Sequence, residues 1–174
     1  MFTGPSSDAG TIVAEDELRL ENQLIFAIYN NANKVARLLR PLLDPFGLTF
    51  PQYLTLLALW GRPPCTVSDL SRVLHLESNT LTPLLKRLEA AGYVTRERDR
   101  DDERCVRISL TSKGESFRNE ALGLRARVIR QLGVPEEEMA NLKAALGHLA
   151  QRLDTLTGAA TMPEPLARSP EHRA

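Results

Sequence analysis

Apolar positions recur along this chain mostly at helical spacing, broken once by two short alternating runs. From about Asp16 to Leu43, residues Leu24, Ile25, Ile28, Val35, Leu38, Leu39 and Leu42 predict one long helix that Pro41 kinks or ends. Phe50-Pro51-Gln52-Tyr53-Leu54 opens a second helix that closes near Trp60-Gly61, before Pro63 and Pro64. A short third helix runs to Leu74. It starts at Thr66, whose hydroxyl can accept a backbone N–H, and Asp69 stands three residues on in capping-box position. The fourth, Ser78 to Ala91, sets Leu81, Leu84, Leu85 and Leu88 on one stripe, and Gly92 supplies a left-handed stop. Two β-prone runs follow, Tyr93 to Arg98 and Cys105 to Leu110, joined by the polar stretch Asp99 to Arg104. A longer helix is predicted from Thr111 to about Leu132. The last begins at Pro135 with three glutamates in its first turn, where acids complement the helix dipole.

Short helix, turn, second helix and charged hairpin is the order of a winged helix-turn-helix, and it predicts a DNA-binding protein. The polar face of the fourth helix suits a helix that enters a major groove by its N-terminus. It carries Ser78, Asn79, Thr80, Thr82 and Pro83 early, then the cations Lys86 and Arg87. Such a face is also ordinary on a solvated amphipathic helix, and the hairpin tips the balance. Within the hairpin, Arg104 is the candidate for the minor groove, and Asp102 is read as shaping the wing. The two could instead simply pair, for roughly 0–1 kcal/mol in an exposed setting. Asn79 reads equally as an adenine contact or as a helper to Ser78 in capping the helix.

Several separated segments carry a family resemblance. They are Leu81 to Glu89, Gly92-Tyr93-Val94, Asp102-Glu103-Arg104 and Ile108-Ser109-Leu110-Thr111. Together they resemble the multiple-antibiotic-resistance regulator (MarR) family. Upstream, Leu20-Glu21-Asn22-Gln23-Leu24, Pro41-Leu42-Leu43-Asp44 and Pro51-Gln52-Tyr53-Leu54 are similar to its organic-hydroperoxide-sensing branch (OhrR), and the match spans about residues 18 to 155. The resemblance implies a mainly α fold with a small β wing, a winged helix-turn-helix with N- and C-terminal dimerisation helices. It further implies a homodimeric repressor whose two recognition helices sit in successive major grooves of a pseudo-palindromic operator.

This sequence departs from the branch at the sensing position. The resemblance puts a reactive cysteine after the Glu-Asn-Gln-Leu run, held by two tyrosines of the partner subunit; here those positions are Ile25, Leu39 and Phe50. Isoleucine offers no thiolate, so peroxide chemistry at that site is not expected. The apolar set Ile25, Phe26, Tyr29, Leu39, Phe50, Tyr53 and Trp60 falls where the family keeps its sensing pocket. It suggests a small apolar or aromatic effector, an acid if Lys34, Arg37 or Arg40 reaches in. The competing reading is plain core, in a helical dimer that binds another protein, or DNA constitutively. A third possibility rests on Cys65 and Cys105: the fold pairs the segment before the third helix with the second wing strand, so the thiols could be neighbours in a redox switch.

Composition narrows the picture further. The 174 residues are 43% hydrophobic, enough for one core. Lys and Arg number 22 against 22 Asp and Glu, and Arg62 to Arg107 is also nearly balanced, so DNA binding must rest on positioned cations rather than a basic field. No apolar run nears the ~20 residues that span a bilayer, and Met1 to Gly10 lacks a signal pattern; a cytoplasmic protein without membrane contact is expected. Three scattered histidines, no Cys-x-x-Cys and no phosphate loop leave no catalytic residue, metal site or cofactor to propose. Met139, Leu142, Leu146, Leu149, Leu153 and Leu156 form a coiled-coil-like seam on the last helix. The predicted organisation is therefore a mobile arm over 1–14 and a winged-helix domain over 15–157, with a mobile tail over 158–174. Within the domain, about 50–111 forms the DNA-binding lobe, and 16–43 with 112–156 supply dimerisation helices.

Overall fold

The computed structural model describes residues 16–61, 65–99 and 105–157. Within these residues lie six α-helices and a small sheet, in chain order α1 (Leu24–Leu43), α2 (Phe50–Gly61), β1 (Cys65–Thr66), α3 (Val67–Leu74), α4 (Ser78–Ala90), β2 (Val94–Arg98), β3 (Val106–Leu110), α5 (Ser112–Leu132) and α6 (Glu136–Thr157).

The first helix is shorter than its apolar period predicts. Residues 16–23 do not join α1: Leu20–Asn22 is a single 3-10 turn, and Gln23 is extended at φ −85°, ψ 120°. Side-chain amides cause the break. Asn22 Nδ2 donates to the Asp16 carbonyl at 2.7 Å, and Gln23 Nε2 donates to the Glu17 and Arg19 carbonyls, giving the backbone an alternative to the helical ladder. Pro41, expected to kink or end the helix, lies within it. It is exposed, as is Arg37 four residues before it, so the carbonyl that loses its partner can turn to water.

The lobe is built around leucines. Leu43, Leu56, Leu59, Leu81, Leu85, Leu88 and Ile108 are fully buried where α1, α2, α4 and the sheet meet. The expected capping box starts α3: Asp69 N–H donates to Thr66 Oγ1, and Asp69 Oδ2 accepts from the Thr66 N–H, both at 3.1 Å. His75 then takes a left-handed conformation at φ 50° and turns the chain into α4. After α4, Gly92 adopts φ 77°, which admits Tyr93 beneath the helix end.

The sheet order is β1-β3-β2, antiparallel throughout. Both wing strands start one residue later than predicted. Tyr93 is in the turn rather than in β2: its N–H bonds the Leu88 carbonyl and its carbonyl accepts from Thr111 N–H. β1 pairs with β3 as the resemblance implies, but Cys65 stands opposite Ile108. Cys105 lies three residues along, about 10 Å at strand rise and of opposite facing parity. Disulfide geometry requires Cα atoms within about 7 Å, so the register keeps the two thiols of one chain from bridging.

Four aromatic rings join the lobe to the long helices. Phe117 of α5 lies 4.9 Å from Phe46, 5.6 Å from Tyr93 and 5.9 Å from Trp60, centroid to centroid. Tyr93 donates its hydroxyl to the Phe46 carbonyl, and Trp60 Nε1 donates to the Gly114 carbonyl at 3.1 Å. Thr111 caps α5 by accepting from the Gly114 N–H. Beyond this joint the chain buries little: α6 contains no buried residue.

Candidate nucleic-acid interface and effector groove

The placement of α4 follows from its stripe. Leu81, Leu84, Leu85 and Leu88 face the core, which turns Ser78, Asn79, Thr80, Pro83, Lys86 and Arg87 outward, with Thr82 half-buried at the edge. Neither Ser78 nor Asn79 caps the helix, contrary to one of the two readings of Asn79. The cap position is Glu77, which is extended, and no side chain closes it. Asn79 is tied instead to its neighbours: its Nδ2 donates to Glu77 Oε2 at 3.0 Å, and its Oδ1 accepts from Thr80 Oγ1 at 3.2 Å. The first turn of α4 thus leaves backbone N–H groups and small polar side chains open on one exposed surface, the chemistry that phosphates and base edges require.

Beside it lie the two wing strands, which bury Val94 and Ile108 in the core. At their far end Asp99, almost buried, forms an ion pair with Arg107 across the hairpin, and the Asp99 N–H bonds the Cys105 carbonyl. Asp102 and Arg104 lie outside the described residues. At the near end, Lys113 Nζ donates to the Ala91 carbonyl at 2.8 Å and sits 4.3 Å from the centre of the Tyr93 ring. It places a cation at the negative end of the α4 dipole.

The seven expected effector residues separate in a single chain. Leu39 and Tyr53 belong to the core, and Phe50 and Trp60 pack against it. Ile25, Phe26 and Tyr29 sit at the other end of α1, with Ile25 80% and Tyr29 66% exposed. Fourteen residues of helix between Ile25 and Leu39 span about 21 Å, so these two groups meet only if a second chain brings them together. Among the grooves a single chain does form, one of about 250 Å³ lies between α2 and α5, lined by Tyr53, Leu57, Trp60, Ala121 and Leu122 with Arg118 and Arg125 beside them. Burial raises the Tyr53 hydroxyl pKa above its ordinary value, and Arg125 opposes part of that shift. Lys34, Arg37 and Arg40, the cations named from sequence, do not line it. Arg118 and Arg125 were missed, although with Ala121 and Leu122 they recur at i, i+3, i+4 and i+7 and so share one face of α5.

A family model for transcriptional regulators of the SarA/Rot type matches residues 37–121, which contain the lobe and the start of α5. The chain is 40% identical over 138 residues to the organic hydroperoxide resistance transcriptional regulator of Bacillus subtilis (strain 168), covering 79% of this chain and 94% of that one. The chain belongs to the MarR family of winged-helix transcriptional regulators. The HTH-type transcriptional regulator TtmR of Methylorubrum extorquens (strain PA1) is 41% identical over 149 residues, 86% of this chain and 76% of its own. Among solved structures, reduced AbfR bound to DNA superimposes with a TM-score of 0.72 at 38% identity, covering 83% of this chain and 99% of that one. Membership fixes the broad activity of this MarR-family chain: it is a DNA-binding transcriptional regulator. No helix among its described residues is long and apolar enough to cross a membrane.

Proposed function

We propose that two copies of this chain bind a pseudo-palindromic operator as a repressor, each laying the exposed face of α4 in a major groove, and that a small apolar acid releases them. The carrying observation is the pairing of two exposed surfaces: the polar face of α4, and the apolar side of α6 with the N-terminal end of α1. Leu142, Leu146 and Leu153 are 55%, 48% and 50% exposed, a pattern that calls for a second chain. In this reading Asn79, Thr80 and Thr82 address bases, Lys86 and Arg87 address phosphates, and Asp102 and Arg104 act from the wing.

Fluorescence anisotropy on DNA from upstream of the protein's own gene tests the reading. Lys86→Ala and Arg87→Ala should each weaken binding about equally across sequences and reduce the salt slope by about 1. Wild-type affinity no better for that DNA than for scrambled duplex would sink the proposal. An organic hydroperoxide added to the complex separates the redox alternative, because release that depends on Cys65 or Cys105 would move sensing to those thiols.

The acid reading rests on the α2–α5 groove, where two guanidinium groups flank an apolar floor. Trp60, the protein's only tryptophan, lines it. Benzoate is the probe: it should change Trp60 emission and lower operator affinity together, and Arg125→Gln should weaken both responses. Emission and affinity that stay constant up to saturating benzoate count against an effector of this class.

A further inference from the structure

Arg96 occupies an unusual position for a cation. It pairs with Ile108 in the β2–β3 register, so its side chain leaves the sheet on the same face as a fully buried residue. Only 19% of that side chain is exposed, and its Nε is buried with no hydrogen-bond acceptor. One contact reaches outward: Nη1 lies 3.4 Å from Glu89 Oε2, on the last turn of α4.

Each partner is locally unfavourable. A carboxylate in the last turn of a helix opposes the helix dipole, and a guanidinium held out of water with an unsatisfied donor loses hydration that one ion pair does not restore. Apolar side chains at both positions would satisfy a lobe that had only to be stable. What the pair does provide is geometry. It ties the middle of the first wing strand to the end of the recognition helix, the two elements that must reach different grooves of one duplex at a fixed separation.

We infer that Arg96 is a positioning residue for DNA binding: through Glu89 it sets the angle of the wing against α4, without itself touching DNA. The inference rests on the proposed use of α4 and the wing on an operator, and it adds how the two are held in register.

Arg96→Met keeps the buried stem and removes the charge. The variant should melt at or above the wild-type temperature, because the desolvated cation is gone. Its operator affinity should nevertheless fall on the order of tenfold. Hydroxyl-radical footprinting should then lose protection in the minor-groove flanks, where the wing acts, while dimethyl sulfate protection in the major groove under α4 persists. Glu89→Gln, which leaves Arg96 in place, should give the same selective loss and serves if Arg96→Met folds poorly. Unchanged affinity overturns the inference. So does a loss that tracks a fall in melting temperature, or one spread evenly over the footprint. Failure of the wild-type protein to footprint any operator overturns instead the DNA-binding geometry on which the inference stands.

Discussion

Replacing Gly114 with alanine should cost about 3 kcal/mol and lower the melting temperature by roughly 10 °C. A Cβ built there falls 2.2 Å from the Tyr93 carbonyl oxygen and 3.0 Å from Leu110 Cδ2. The oxygen cannot move aside, because it accepts the Thr111 N–H that joins the end of the wing to the start of α5. The same residue donates its N–H to the Thr111 hydroxyl oxygen, and its carbonyl accepts from the Trp60 indole N–H. Displacing it therefore disturbs the cap, the indole contact and the wing root together. Gly123 of the same helix is the internal control: its Cβ would meet nothing within 4 Å. Gly123→Ala should instead stabilise by about 0.5–1 kcal/mol through helix propensity. Thermal melts of the two variants check the pair, and equal melting temperatures would contradict the close approach at Gly114.

The second large effect is expected on α6. Leu146→Glu combined with Leu153→Glu should leave the lobe folded yet abolish dimerisation, because each charge would enter an apolar contact with no partner, at several kcal/mol apiece. Since neither leucine is buried within one chain, the monomer loses no core. Operator affinity should fall by more than about a hundredfold, since in the proposed dimer a single α4 would retain only half of the site. Sedimentation velocity with anisotropy on the same sample decides the matter. A double variant that still sediments as a dimer would move the interface elsewhere.

Much of the lobe was legible because its determinants are local. The Thr66–Asp69 box, the leucine stripe of α4 and the stop at Gly92 each depend on residues within one or two turns. Where the reading failed, side chains or neighbours distant in sequence intervened. The apolar period from Asp16 to Leu43 says nothing of Asn22 and Gln23 folding back on carbonyls, which ends helical order before Leu24. Ser78 looked like a cap because serine favours that position, but Glu77 already occupies it. Arg118 and Arg125 lie on a polar stretch of α5 that reads as solvated until α2 is laid beside it. Gly114 reads as a weak spot in a first helical turn, and only the crossing with Tyr93 gives it a purpose. The pairing of Arg96 with Glu89 likewise needs the hairpin to fold back along α4.

The 22 residues of α6 carry no buried side chain of their own. Most of the stability of a helix in a protein comes from packing its apolar face rather than from propensity. In the proposed dimer the packing that α6 lacks within one chain would be supplied by the second copy, and so would depend on how much of the protein is present. A copy without its partner from the proposed dimer would present one α4 to DNA and leave the leucines of α6 in water. If dimerisation limits binding as proposed, occupancy of an operator would rise more steeply than in proportion to supply. On that reading, synthesis rate would be an input to the regulator in its own right, alongside any small molecule.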